Sequence, residues 1–222
     1  MTRPVTAAWA VDDALQRDFV ALSGDRNPLH VDPIVARRLP FGRVAVHGMH
    51  LALDALERLT VVSGLTPRQV RVTFRHPVGI GDPIVTEIDA TDPAGVFVRV
   101  TTDVWTAAEL RVALGPPTRW PAGAIHTPPD GAPIERTPES ITGLHGAIPV
   151  AADLDAVARR FPGLVGRLGE CAVAEFATLT RLIGMEVPGL RSMFSSFDVS
   201  IGDTPHNPED AMTYRVTTVD ER

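Results

Sequence analysis

Asp25 and His30 stand five residues apart in the stretch SGDRNPLH, residues 23–30. On one continuous helix they would point about 140° apart, at roughly 100° per residue. Pro28 lies between them and disfavours that helix, so the stretch reads as a loop able to turn both groups towards one point. A carboxylate and an imidazole converging on one water form an acid–base pair suited to neutral pH. Asn27, between them, is placed to fix either by a hydrogen bond, and Ser23 opens the same turn. The same residues also spell an ordinary polar turn, in which Asp25 caps a backbone amide and His30 is merely packed.

A second candidate is VHGMH, residues 46–50, at the head of the longest apolar-periodic stretch. A glycine at a helix start lets a ligand reach free backbone N–H groups, and the helix dipole favours negative charge there. Gly48 can therefore serve an oxyanion, or it can be a tolerated cap and close-packing residue. His47 reads as structural, and His50 receives no role. Together they form His-x-x-His, but no nearby Cys, Asp or Glu completes a ligand set, so no metal is expected. Gly79 and Gly81 give only GIG before Asp82, a strand-joining turn without a phosphate-binding continuation. Asp54 and Glu57 on the long helix read as solvated or dimer-facing. Trp9, Trp105 and Trp120 are too scattered for a stacking platform.

The elements that must position these groups follow from periodicity. Val11, Leu15, Phe19 and Leu22 recur at helical spacing and predict a helix over 12–22. Asp32 as cap and Pro33 at the first helical position predict a second, short helix to about Leu39. Leu51, Ala52, Ala55, Leu56 and Leu59 form one stripe of a long helix from Gly48 that stops before Gly64 and Pro67. Strand-like runs follow around Val70–Phe74, Ile84–Ile88, Val96–Val100 and Leu110–Leu114. A long helix followed by four antiparallel strands predicts an α+β layered design, a sheet laid over a helix.

Residues 116–138 hold seven of the chain's twenty prolines and read as a linker, neither helix nor central strand. Beyond it the sequence repeats. VARRLP at 35–40 returns as VARRFP at 157–162, a shift of 122. Gly48 is matched by Gly169, Pro67 by Pro188, and GIGD at 79–82 by SIGD at 200–203, each at a shift of 121. A second helical stripe of Ala172, Phe176, Leu179 and Ile183 falls between them. At the shift of 122 Ala147 and Ala152 replace Asp25 and His30, so the second repeat keeps a scaffold and loses the reactive groups. Met212–Val219 would be its second strand, with nothing left for a third and fourth. Such an incomplete repeat leaves a sheet edge to be covered, by another copy or by more of a longer polypeptide. The expected organisation is a first repeat over 1–115, a linker over 116–138 and a degenerate repeat over 139–222.

Bulk properties exclude classes. The net charge of −6 without a basic patch argues against nucleic acid. No apolar run approaches the roughly 18 residues of a membrane span. The first residues, MTRPVTAAWAVDDA, meet acidic groups too early for a secretory signal peptide. The lone cysteine, Cys171, rules out an internal disulfide and fits a reducing cytoplasm.

FVALSGDRNPLHVDPIVARRLPFGRVAVHGMHLALDAL, residues 19–56, closely resembles the signature of the MaoC-like (R)-specific enoyl-CoA hydratases and dehydratases. VRVTFRHPVGIGD, residues 70–82, resembles the strand and turn that follow in that family. The resemblance implies a hotdog fold, here doubled, in which a long central helix is wrapped by antiparallel sheet. It implies Asp25 and His30 as the dyad that activates water, with Asn27 orienting them. It also implies Gly48 N–H as the group that holds the thioester oxygen, with Ser23 and His47 in support. The substrate would be an acyl-CoA or acyl-carrier-protein thioester, its phosphopantetheine part of the substrate and no further cofactor required. The faint second repeat is similar to the degenerate half of two-hotdog members, where that half usually makes room for a bulky acyl chain. Two other functions compete with this one. The chain would be a non-catalytic thioester-binding module if the dyad were broken, or a hotdog thioesterase if Asp54 or Glu57 were the working carboxylate.

Overall fold

The structure, a computed structural model, describes residues 5–90, 95–116, 125–190, 192–202 and 211–219. Strand β1 (Val5–Trp9) leads into helix α1 (Asp13–Ser23). Asp12 caps α1 by accepting the Leu15 amide at 2.8 Å, and Gly24 ends it in the left-handed region at φ 71°. Two single turns follow, α2 (Pro28–Val31) and α3 (Pro33–Ala36), and then the long α4 (Gly48–Ser63). Strands β2 (Thr66–Phe74), β3 (Ile84–Asp89), β4 (Val96–Thr102) and β5 (Thr106–Gly115) complete the first half.

The second half comprises α5 (Pro138–Ile141), β6 (His145–Ile148), α6 (Leu154–Arg160), α7 (Pro162–Leu168) and α8 (Glu170–Arg181). A π-helical turn over Leu182–Glu186 extends α8, and β7 (Ser196–Ser200) and β8 (Met212–Arg215) close the chain. Six strands form one antiparallel sheet in the order β1-β3-β4-β5-β2-β7, so the second half lends one strand to the first. Alternate residues of the sheet face inward: Val70 and Val72, Ile84 and Ile88, Val98 and Val100, Leu110 and Val112 are all buried. They pack on α4, whose opposite side meets α7 and α8. A helix covered on both sides needs apolar residues nearly all round, which the run Leu51–Leu56 supplies.

Several expectations need correction. SGDRNPLH is not wholly a loop, because Asn27 caps the turn of α2 and His30 rides on it. The helix at Pro33 ends at Ala36, short of Leu39. Pro67 lies inside β2, beside a shift of register between Pro67 and Gln69 where a missing N–H is tolerated. The strand expected over Met212–Val219 forms over Met212–Arg215 and pairs with β6 in a separate two-stranded sheet, much as β3 pairs with β1. In the linker, residues 125–137 make only isolated bridges, while 117–124, with Trp120, lie outside the described residues, as does Asp203 of SIGD. Among the described residues no helix is long and apolar enough to cross a membrane.

Asp54 and Glu57 are neither solvated nor turned outward. Asp54 is 3% exposed and accepts from Arg160 at 2.7 Å, with His50 Nε2 at 3.3 Å. Glu57 accepts the amides of Gly163 and Leu164, both at 2.8 Å, and so caps the first turn of α7 from α4. These carboxylates therefore lock the two halves together. Burial pushes Asp54 up to about 6 against the pull of Arg160, and burial with the nearby Arg160 pushes His50 down to about 3.

Arg160→Leu should strand the Asp54 charge and cost about 3 kcal/mol at pH 8. Folded Asp54 keeps its proton up to about 6, against 3.8 when free, so stability falls as pH rises through that interval. Without Arg160 the interval widens upward, so the loss measured by urea denaturation should be clearly smaller at pH 5 than at pH 8. Equal losses at both would mean that Arg160 acts by packing alone.

Candidate active site

Three short segments bring the predicted residues to one place. The first is the end of α1. Ser23 Oγ donates to Phe19 O at 2.8 Å and accepts the Asp25 amide at 3.2 Å, which turns the chain sharply after Gly24. Asp25 is then 2% exposed, with Oδ1 accepting Asn27 N–H at 3.1 Å and Oδ2 accepting Thr180 Oγ1–H at 2.8 Å. Asn27 Oδ1 accepts the Leu29 amide at 3.1 Å, the cap that starts α2. Its Nδ2 faces the carbonyls of Gly184, Leu190 and Gly189 at 3.1, 3.2 and 3.3 Å. Asn27 thus orients the loop by tying it to the second half of the chain.

The second segment is α2. His30 Nδ1 lies 2.8 Å from Ala45 O. A carbonyl can only accept, so Nδ1 carries the proton and Nε2 keeps a free lone pair. His47 opposes it with ring centroids 3.8 Å apart. Its Nε2 lies 3.1 Å from Asp25 O and must donate, which leaves Nδ1 to accept from Gln16 Nε2 at 3.2 Å. Both nitrogens of His47 are therefore occupied, and the ring serves as a buried brace, as its sequence position suggested. Asp25, His30 and His47 bring one ligand-type atom each within 4.8 Å of one another, near enough for a cation. A cation there would have to break one of the two hydrogen bonds of His47.

The third segment is the head of α4. Gly48 opens this 16-residue helix, His47 supplies no side-chain cap, and the Gly48 N–H has no acceptor among the described residues. A Cβ on Gly48 would sit 3.1 Å from the Phe74 ring, so a bare residue keeps the approach open. Asp25, His30 and Gly48 all line one cavity of about 280 Å³, whose walls include Phe74, Val78 and Phe194. A carboxylate residue, an imidazole residue and a helix-opening glycine thus border one largely apolar space.

The electrostatics follow from burial. Desolvation pushes the Asp25 carboxyl up, while His30 and the hydrogen bonds from Thr180 and Asn27 pull it back down. Desolvation pushes His30 below 6.5, against the pull of Asp25 and Ala45 O. His47 falls well below 6.5 by burial and by its two histidine neighbours.

Sequence reasoning missed Gln16, Thr180 and Gly184. Gln16 is 3% exposed, and its Nε2 shares two hydrogens among His30 O at 3.0 Å, Ala45 O at 3.2 Å and His47 Nδ1 at 3.2 Å. A polar residue one place from Leu15, on the buried side of α1, was the only trace of it. Thr180 and Gly184 lie more than 150 residues from Asp25 and carry no local signal.

Known proteins were compared with the chain. Residues 2–109 match the family model described as MaoC like domain. An (R)-specific enoyl-CoA hydratase of Aeromonas caviae is 37% identical over 83 residues, 33% of this chain and 57% of that protein. A 3-hydroxyacyl-thioester dehydratase X of Mycobacterium tuberculosis is 30% identical over 114 residues, 51% of this chain and 37% of that protein. The chain thus spans about half the length of the curated relatives it matches. A solved structure named MaoC-like dehydratase aligns over 99% of this chain and 87% of its own, with TM-score 0.60 and 12% identity, a likeness of fold across both halves. The N-terminal part of this chain, residues 2–109, belongs to the MaoC-like domain family.

Proposed function

We propose that the chain reversibly hydrates a trans-2-enoyl thioester to the (R)-3-hydroxyacyl thioester, on a double hotdog whose second repeat is degenerate. The observation that carries this reading is the tautomer of His30. Its Nδ1–H is spent on Ala45 O, which leaves Nε2 as the basic nitrogen of a residue that lines one cavity with Asp25 and Gly48.

In hydration, a water held between the Asp25 carboxylate and His30 Nε2 gives one proton to the pair as its oxygen attacks C3. The electron pair of the C2–C3 double bond moves towards the thioester carbonyl, whose oxygen takes up negative charge. Gly48 N–H, at the positive end of α4, stabilises that oxyanion. The pair then returns the proton to C2 on the same face, so the sum is one water added. Dehydration is the same path reversed. Asn27, Ser23 and His47 hold the geometry and touch no reacting atom.

The domain limits expected from sequence, 1–115, 116–138 and 139–222, fit this reading. The first carries the dyad, and the last supplies α8 and β7 against it. The thioester would come from coenzyme A or a carrier protein, since either presents the same phosphopantetheine arm. The relatives named for hydration of enoyl-CoA and dehydration of 3-hydroxyacyl thioesters support this substrate class. The single β2 partner of β7 among the described residues supports a further copy or further chain along that edge. The thioesterase alternative loses its basis, because Asp54 and Glu57 are absorbed by Arg160 and the end of α7, away from the cavity.

Two outcomes are expected. With crotonyl-CoA, followed by loss of enoyl-thioester absorbance, Asp25→Asn and His30→Ala should each lose about 10³-fold in kcat, and the double variant little more. An unchanged rate in either single variant would overturn the dyad. The pH profile gives the second. The working state pairs a carboxylate with a neutral imidazole, so uptake of one proton stops it. Because burial pushes His30 below 6.5, kcat/KM should hold at pH 6.5 and fall only at lower pH.

A further inference from the structure

We infer that Thr180, on the long helix of the degenerate half, is a positioning residue that holds the Asp25 carboxylate as an anion turned towards His30. The inference rests on the hydratase reading for its consequence in catalysis, and on geometry for its existence.

Hydroxyls inside this fold usually return their proton to the helix that carries them. Thr178 Oγ1 donates to Ala174 O at 2.9 Å, Ser63 Oγ to Leu59 O at 2.7 Å and Ser23 Oγ to Phe19 O at 2.8 Å, each four residues back. Thr180, two residues beyond Thr178, reaches across the halves instead and donates to Asp25 Oδ2 at 2.8 Å. Thr180 is 3% exposed and Asp25 2%, so water is excluded from this bond. A hydrogen bond to a buried carboxylate is among the stronger kinds.

The next turn of the same segment fixes the distance. The π-helical turn Leu182–Glu186 brings Gly184 against the carboxylate so closely that a Cβ there would overlap both Asp25 oxygens. The Gly184 carbonyl meanwhile accepts from Asn27. Backbone bonds from Ile134 N to Met185 O and from Leu190 N to Ile134 O hold this turn in place. One segment of the half without a dyad therefore supplies a donor to one Asp25 oxygen and a wall against both.

The charges around Asp25 leave this work to Thr180. His30 faces it from α2, and His47 Nε2 lies 3.7 Å from Oδ2 at the head of α4 but is already spent on Asp25 O. Arg181, next on α8, pairs with Glu186 at 3.1 Å, and Arg26 pairs with Asp130. Neither guanidinium is hydrogen-bonded to the carboxylate. Burial pushes Asp25 up, and the Thr180 hydrogen bond is one of the few groups pulling it back.

The test uses the full chain with Thr180→Val, which keeps the shape and removes the O–H, Thr180→Ser, which keeps the O–H, and Gly184→Ala, which displaces the carboxylate. In crotonyl-CoA hydration, T180V should lower kcat about tenfold at nearly constant KM and move the acidic limb of the pH profile to higher pH. T180S should restore both. The Asp25 carboxyl is also titrated directly by 13C NMR, which needs no turnover. Its midpoint should rise in T180V and G184A and return in T180S. An Asp25 titration that is the same in T180V as in the native chain overturns the inference, whether or not the chain hydrates crotonyl-CoA. Absent hydration with a shifted titration would instead overturn the hydratase reading and leave the positioning role standing. Should T180V not fold, a T180S titration matching the native chain beside a shifted one in G184A supports the inference, and an unshifted one in G184A overturns it.

Discussion

A carboxylate withdrawn from water is the constraint on which this structure turns. Asp25 is buried to 2% exposure, and an unpaired charge at such depth would cost several kcal/mol. The fold meets that cost with oriented donors in place of a full ion pair. Asn27 N–H serves one oxygen and Thr180 O–H the other, while His47 fixes the Asp25 backbone carbonyl. Each donor is itself held. Asn27 is pinned by three carbonyls, His47 by Gln16, and Gln16 by the carbonyls of His30 and Ala45. The chain from α1 to α4 is thus one polar network set in an apolar core, and such networks are worth having only when nearly every member is satisfied.

That network extends into the second half of the chain. The register that aligns VARRLP with VARRFP, a shift of 122, puts Ala147 and Ala152 opposite Asp25 and His30. What the second half keeps is a buried helix and the turn after it, and these supply the Thr180 hydroxyl and the Gly184, Gly189 and Leu190 carbonyls. The halves are further bound by Asp54 to Arg160 and by Glu57 to the end of α7. The second half thus contributes the surroundings that make the buried Asp25 carboxylate of the first half tolerable.

The parts legible in the sequence were those decided by neighbours along the chain. The amphipathic stripe of α1, the capped α4 between Gly48 and Gly64, and the alternation of β3 to β5 all follow from local periodicity. Types and spacing in SGDRNPLH offered Asp25 and His30 beside the reading of an ordinary polar turn, and the resemblance of the longer stretch to a family signature favoured them. Less legible was anything set by partners far away. Pro28 was read as a breaker, yet proline is at ease in the first turn of a helix, and Asn27 caps the single turn it begins. Asp54 and Glu57 look solvated on a helical wheel because the wheel cannot show Arg160 or the amides of α7 arriving from 106 residues on. Strand β1 is short and half-exposed, with too little alternation to announce itself.

His30 and His47 show why residue type alone cannot assign chemistry. The rings stack within 3.8 Å, both are largely removed from water, and both are pushed below the ordinary imidazole value. Their difference lies in which nitrogen meets a carbonyl and what meets the other. In His30, which lines the cavity, the carbonyl of Ala45 takes Nδ1–H and leaves the Nε2 lone pair free. In His47 a carbonyl takes Nε2–H and an amide fills Nδ1, so no lone pair remains to accept a proton. Two histidines of nearly equal environment are thus told apart by which nitrogen meets a backbone carbonyl and by the Gln16 amide at the other nitrogen of His47, and the proposed function makes the first the base and the second a brace. Those carbonyls belong to the loop between α3 and α4 and to the turn after α1, so the backbone path, with Gln16, decides which imidazole keeps a free lone pair.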